Sequence, residues 1–135
     1  MAVNSVGPLD IAVSGLKAQG RSMEVISSNV ANSRTNNAGN GQPYRRLEAV
    51  LKSDSKPGEV GTVSLADVLP DKSDFYRILD PGSPNSDSQG YVSMPNVDLP
   101  IEMMNLQIAS RAYQANAAVL KRYQQMVDTS LELLR

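Results

Sequence analysis

The sequence predicts a mainly α chain, with long N- and C-terminal helices pairing as an antiparallel coiled coil around a small β/loop middle region. Three observations carry this expectation. Leu9, Leu16, Met23 and Val30 recur every seven residues near the start, with Ala12 and Ile26 at the intermediate spacing. Leu106, Tyr113, Leu120, Val127 and Leu134 repeat the same interval near the end, with Ala109 and Tyr123 between them. Turn-forming Asn, Gly, Pro and Ser gather in the stretches that separate the two. At 135 residues the chain suits one ordinary domain.

The first segment, residues 1–35, holds a helix from Pro8 to about Asn32. Pro8 fits a first helical position and Asp10 suits the positive end of the helix dipole. Gly15 and Gly20 lower helix propensity and permit a close approach or a bend. The second segment, residues 36–97, is loop-rich. "NSRTNNAGNGQP" and "DPGSPNSDSQG" are turn chemistry, because Asn, Asp and Gly tolerate positive φ and Pro fixes it. Between them "YRRLEAVL", "GEVGTVSLADVL" and "DFYRIL" read as short strands of a small sheet or hairpin.

The third segment, residues 98–135, opens with a cap at Asp98, Pro100 in the first turn and Glu102 near the positive dipole end. No Pro or Gly follows. About 34 helical residues make a rod of roughly 50 Å, far longer than a typical globular helix.

That last helix carries two apolar stripes. The first, through Leu106, Tyr113, Leu120 and Val127, would face Leu9, Leu16, Met23, Ile26 and Val30 of the N-terminal helix. The second runs through Ile108, Ala112, Ala115, Val119, Met126 and Leu133. One antiparallel partner buries only the first stripe. Ile108, Ala112, Ala115 and Val119 are therefore candidates for packing between subunits, with the alanines allowing close helix approach. Cover by the middle region, or a soluble helical module docking a single protein partner, are the alternatives.

Chemistry is sparse. With no His and no Cys, the usual general base, thiol nucleophile and thiolate metal ligands are missing. "NNAGNGQP" lacks the Gly-Lys-Ser/Thr ending of a phosphate loop. "NSDSQG" imitates half an EF-hand loop, yet Asn96 stands where the bidentate Glu belongs. No catalytic, cofactor or metal site is expected, and the chain is not expected to be an enzyme. A net charge of −1 with scattered Lys and Arg gives no footprint for nucleic acid. Met103–Leu120 holds a single charge, but its Asn, Gln and Ser argue against a membrane span. "MAVNSVGPLDIAVSGLK" has no basic n-region, so a cleaved signal peptide is not expected.

Two long stretches resemble a known family. "SGLKAQGRSMEVISSNVANSRT" is similar to the N-terminal signature of bacterial flagellar axial proteins, a Ser-Gly-Leu followed by a helix ending in Asn-x-Ala-Asn. "DPGSPNSDSQGYVSMPNVDLPIEMMNLQIASRAYQAN" resembles proximal-rod members of that family in particular, and "PYRR" at Pro43–Arg46 lies between. The residues matching motif positions are Ser14, Gly15, Leu16, Asn29, Asn32, Pro95, Asn96, Val97, Glu102, Met103, Arg111, Tyr113, Ala115 and Asn116. Ser83 departs from the pattern, which often has His there.

The resemblance implies a structural subunit of the basal-body rod, self- and co-assembling with other rod proteins into a helical tube that transmits torque. It implies periplasmic placement after unfolded export by the flagellar type III apparatus. Expected partners are other rod proteins and basal-body adaptor or ring components, with no nucleic acid and no membrane span. Helix-end capping or a surface ion pair is the simplest role for Asn29, Asn32, Arg111 and Asn116.

Overall fold

A computed structural model describes residues 6–55 and 59–134. The first five residues of the expected N-terminal segment, and Arg135 at the end of the last, lie outside the described residues. Two helices flank a small β region: α1 (Pro8–Ala31), β1 (Leu47–Ser53), β2 (Val63–Pro70), β3 (Tyr76–Leu79), β4 (Tyr91–Met94) and α2 (Leu99–Leu133). The chain is mainly α, as its spacing predicts.

Both helix starts follow from their local sequence. Pro8 sets the first helical φ of α1, and Asp10 Oδ2 accepts from the Gly7 N–H at 3.0 Å. Asp98 caps α2 by accepting from Ile101 N at 3.2 Å, with Pro100 in the first turn. At its far end α1 stops where Asn32 Nδ2 turns back to Ser28 O. The 35 residues of α2 make a rod of roughly 50 Å.

The helices pack on each other in opposite directions. Asn29 near the end of α1 donates to Glu102 near the start of α2. Fourteen residues further along each helix, Gly15 lies against the Asn116 side chain. Continuing that register puts Pro8 opposite Tyr123. Residues 124–133 of α2 therefore run past the beginning of α1, an overhang of roughly 15 Å.

The β region forms two separate antiparallel ribbons, β1–β2 and β3–β4. The first has a bulge between Val50 and Leu51 and packs on α1. It is pinned there by Ser14, whose hydroxyl donates to Ile11 O and accepts from Val63 N at 3.1 Å. The second ribbon pairs β3 with β4, a strand beyond the three that the sequence predicts. Its four residues follow a turn closed by Asp87 Oδ1, which accepts from Gln89 N and Tyr91 N at 2.9 Å each. A strand so short has no room to show an alternating pattern.

The buried residues are small and partly polar. Ala12, Ala18, Ile26, Val92, Val97 and Ala109 are buried, together with Asn29, Asn96 and Glu102. Of the residues expected in the helix seam, Ile26 is buried, while Leu16, Met23, Val30, Leu106 and Leu120 are half-buried. Leu9, Tyr113 and Val127 are exposed. Three alanines, Ala12, Ala18 and Ala109, are thus more deeply buried than the larger seam residues around them.

Candidate assembly interface

A buried polar junction fixes the three parts of the chain relative to one another. The Asn29 side chain is fully buried. Its Nδ2 donates to Leu47 O at 2.8 Å, and its Oδ1 accepts from Leu47 N at 2.9 Å. An amide thus pairs with the first residue of β1 as another strand would. The same oxygen accepts from the Tyr44 hydroxyl at 3.0 Å, and Nδ2 also reaches Glu102 Oε2 at 3.2 Å.

Glu102, only 1% exposed, is the buried charge of this junction. Arg46 Nε donates to its Oε1 at 2.6 Å, and the same guanidinium reaches Glu48 and Asp71. Burial works against the Arg46 charge, but hydrogen bonds and proximity to Glu102 and Glu48 prevail and raise its pKa. Ser73, through its backbone N–H first and then its hydroxyl, holds the Asp71 carboxyl below its usual range. Asn96 closes the circle: its Oδ1 accepts from Arg46 N at 2.9 Å, and its Nδ2 donates to Ser73 Oγ at 2.8 Å. A buried ion pair is stable only with such satisfaction of its remaining lone pairs. Among the described residues no buried side-chain polar atom lacks a partner.

Motif positions from both ends of the sequence converge here. Ser14, Gly15, Asn29, Glu102 and Asn116 lie at contacts, Pro95, Asn96 and Val97 are buried between β4 and α2, and Asn32 caps α1. Arg111, Met103, Tyr113 and Ala115 are exposed instead. The junction itself was not foreseen. In the sequence Asn29 stands as a helix-end residue, Glu102 as a dipole residue and Arg46 as part of a motif, and only the fold joins them. The one available signal was an Asn and a Glu within the otherwise apolar seams.

The second stripe of α2 faces outward. Ile108 is 60% exposed, Val119, Met126 and Leu133 are exposed, Ala115 is exposed and Ala112 half-buried. Ile101 and Met104 extend the same face toward the helix start. Ile108 also stands on the rim of a groove of about 410 Å³, floored by Gln19, Ser22 and Val25 of α1 and walled by Ala49 and Val50 of β1. On the overhang Met126, Val127, Leu131, Leu133 and Leu134 are all exposed. No helix among the described residues is long and apolar enough to cross a membrane. Exposed apolar patches of this extent are characteristic of interaction surfaces.

Comparison with known proteins gives concordant matches. Residues 9–38 match the family model for "Flagella basal body rod protein", and residues 88–133 match that for "Flagellar basal body rod FlgEFG protein C-terminal". The chain is 42% identical over 125 residues to the flagellar basal-body rod protein FlgC of Salmonella typhimurium, covering 92% of this chain and 93% of that one. It is 41% identical over 125 residues to FlgC of Yersinia enterocolitica, with the same coverage of 92% and 93%. To FlgC of Bacillus subtilis it is 34% identical over 142 residues, covering 93% and 95%.

Proposed function

Because the chain belongs to the FlgC family of flagellar basal-body rod proteins, we propose that the outward stripe of α2 is its subunit-packing surface in the proximal rod. The protein is a structural subunit of the flagellar basal-body rod. In our reading it self-assembles and co-assembles with other rod proteins into a helical tube that transmits torque passively. Adaptor and ring components of the basal body are its further neighbours. It reaches the periplasm unfolded, through the flagellar type III apparatus.

The observation that carries this reading is the exposed ridge Ile108–Ala112–Ala115–Val119, continued by Met126 and Leu133. Burying the apolar surface now left in water would stabilise an assembly by on the order of 1 kcal/mol per large side chain. Small Ala112 and Ala115 between Ile108 and Val119 suit close approach of a neighbouring helix. The seven-residue spacing supports reading the α1–α2 pair as an antiparallel coiled coil, with Leu16, Met23, Ile26 and Val30 against Leu106 and Leu120. Leu9 and Tyr113 flank that seam, and Val127 lies beyond it on the overhang.

Ala115→Asp tests the assignment. The variant monomer should keep the helix content and thermal midpoint of the native chain, because Ala115 is exposed. Cells carrying it should be non-motile and lack rods. Normal motility would remove the stripe from the interface.

A further inference from the structure

The Asn/Gly-rich turn at residues 36–42 is a built element that the helix pair does not use. Asn37 Oδ1 accepts from Gly39 N at 2.9 Å and Gly41 N at 3.2 Å, and both glycines have positive φ. Asn36 Oδ1 ties it to Asn85 Nδ2 at 3.2 Å, and the turn and the β3–β4 ribbon then enclose a cleft of about 610 Å³.

Arg45 projects along this cleft in a fixed pose. Its Nη1 donates to Asp71 O at 2.8 Å and Ser73 O at 2.9 Å, and its guanidinium stacks 4.1 Å above the Phe75 ring. Among the described residues no carboxylate pairs with it. The nearby Asp87 is already engaged by Arg77 and by two backbone N–H groups. The cleft therefore carries one half-buried, preorganised positive charge without a counter-charge, the arrangement a carboxylate satisfies best.

The neighbouring strand has features that only a polypeptide matches. Leu79, 64% exposed, shares a ribbon face with Arg77, Tyr91 and Ser93, which line the cleft. Asp80 N donates to Gly90 O, so Ile78 pairs with Val92 by hydrogen bonds while Arg77 and Leu79 turn their N–H and C=O outward. The open edge of β3 thus offers main-chain donors and acceptors beside an apolar side chain and a cation.

We propose that this cleft is a second docking surface, in which an extended segment of a neighbouring rod subunit lies along β3 and places an Asp or Glu carboxylate on Arg45. It rests on the rod-subunit reading but uses none of the α2 stripe. An acidic glycan would meet Arg45 yet leave Leu79 and the strand edge unused.

Photo-crosslinking in living cells tests it, with a photoreactive residue at exposed Gln42 on the cleft rim and, in a second strain, at Ile108. A Gln42 adduct to a protein segment containing Asp or Glu is expected. Arg45→Gln, which keeps an N–H donor for the Asp71 and Ser73 carbonyls, should cut its yield roughly tenfold or more. Lys52→Gln, removing an exposed charge at the hairpin tip, should leave it unchanged. A protein adduct at Ile108 with none at Gln42, an adduct to glycan, or a yield indifferent to Arg45→Gln would overturn the proposal. Absence of protein adducts at both positions would instead count against the rod reading itself.

Discussion

Gly15 of α1 lies directly against the side chain of Asn116 of α2. A methyl group on Gly15 would sit 2.7 Å from Asn116 Nδ2, which is itself held by Ala112 O at 3.0 Å. Gly20, five residues on, has nothing within 4 Å of the same point. Gly20→Ala should therefore raise stability by about 0.5–1 kcal/mol, the ordinary gain of Ala in a helix. Gly15→Ala should forfeit that gain to the displaced Asn116, and Gly15→Ala combined with Asn116→Ala should recover part of it. Urea midpoints of the four chains decide the matter; an equal gain at both glycines would mean the helices lie further apart.

Glu102→Ala leaves the Arg46 guanidinium facing a desolvated hole and removes an acceptor from Asn29. The expected loss is about 3 kcal/mol or more. Asn29→Ala should cost about 2 kcal/mol, because both backbone groups of Leu47 lose their partner. Since the two residues share a hydrogen bond, the losses should not add. Chemical denaturation of single and double variants measures the coupling, and strict additivity would contradict a shared network.

Acid should weaken the chain in a defined direction. Ser73 lowers the Asp71 pKa, and the Tyr91 N–H is the main cause of the lowered Asp87 pKa. Their contribution is complete above the unfolded carboxyl value of about 3.9 and disappears as pH falls through the lower folded values. The urea midpoint should be flat from about pH 7 to 5 and drop below about pH 4. Asp71→Asn should flatten part of that drop. A midpoint that rises on acidification would contradict the assignment.

Removing residues 124–135 should separate folding from assembly. The register of α1 against α2 ends near Tyr123, so the shortened chain should keep its helix pair, with a thermal midpoint within a few degrees of the native one. Rod formation in cells should fail. Motile cells carrying the truncation would show that the overhang is dispensable.

Much of this architecture was legible in the residues. Asp98 and Pro100 announce the start of α2, and the absence of Pro or Gly afterwards announces its length. The outward stripe was legible because one partner helix cannot cover two apolar faces. The closest line of packing was not, because a seven-residue count weights large apolar side chains. Ala12, Ala18 and Ala109 are buried and Gly15 meets Asn116, and residues this small carry little weight in such a count. Nor was the junction legible. Asn29, Arg46 and Glu102 are ordinary surface residues in composition, and only contacts between residues 56 and 73 positions apart turn them into an interior.

The overhang has a consequence for how copies can be joined. It exists at one extremity of the helix pair only, so the molecule has distinguishable top and bottom. A neighbour that covers the projecting turns with a different part of its own surface makes a heterologous contact, which propagates as an open helix when its rotation does not close a ring. A filament made by such repetition has unlike tips, and its two ends would elongate by different reactions.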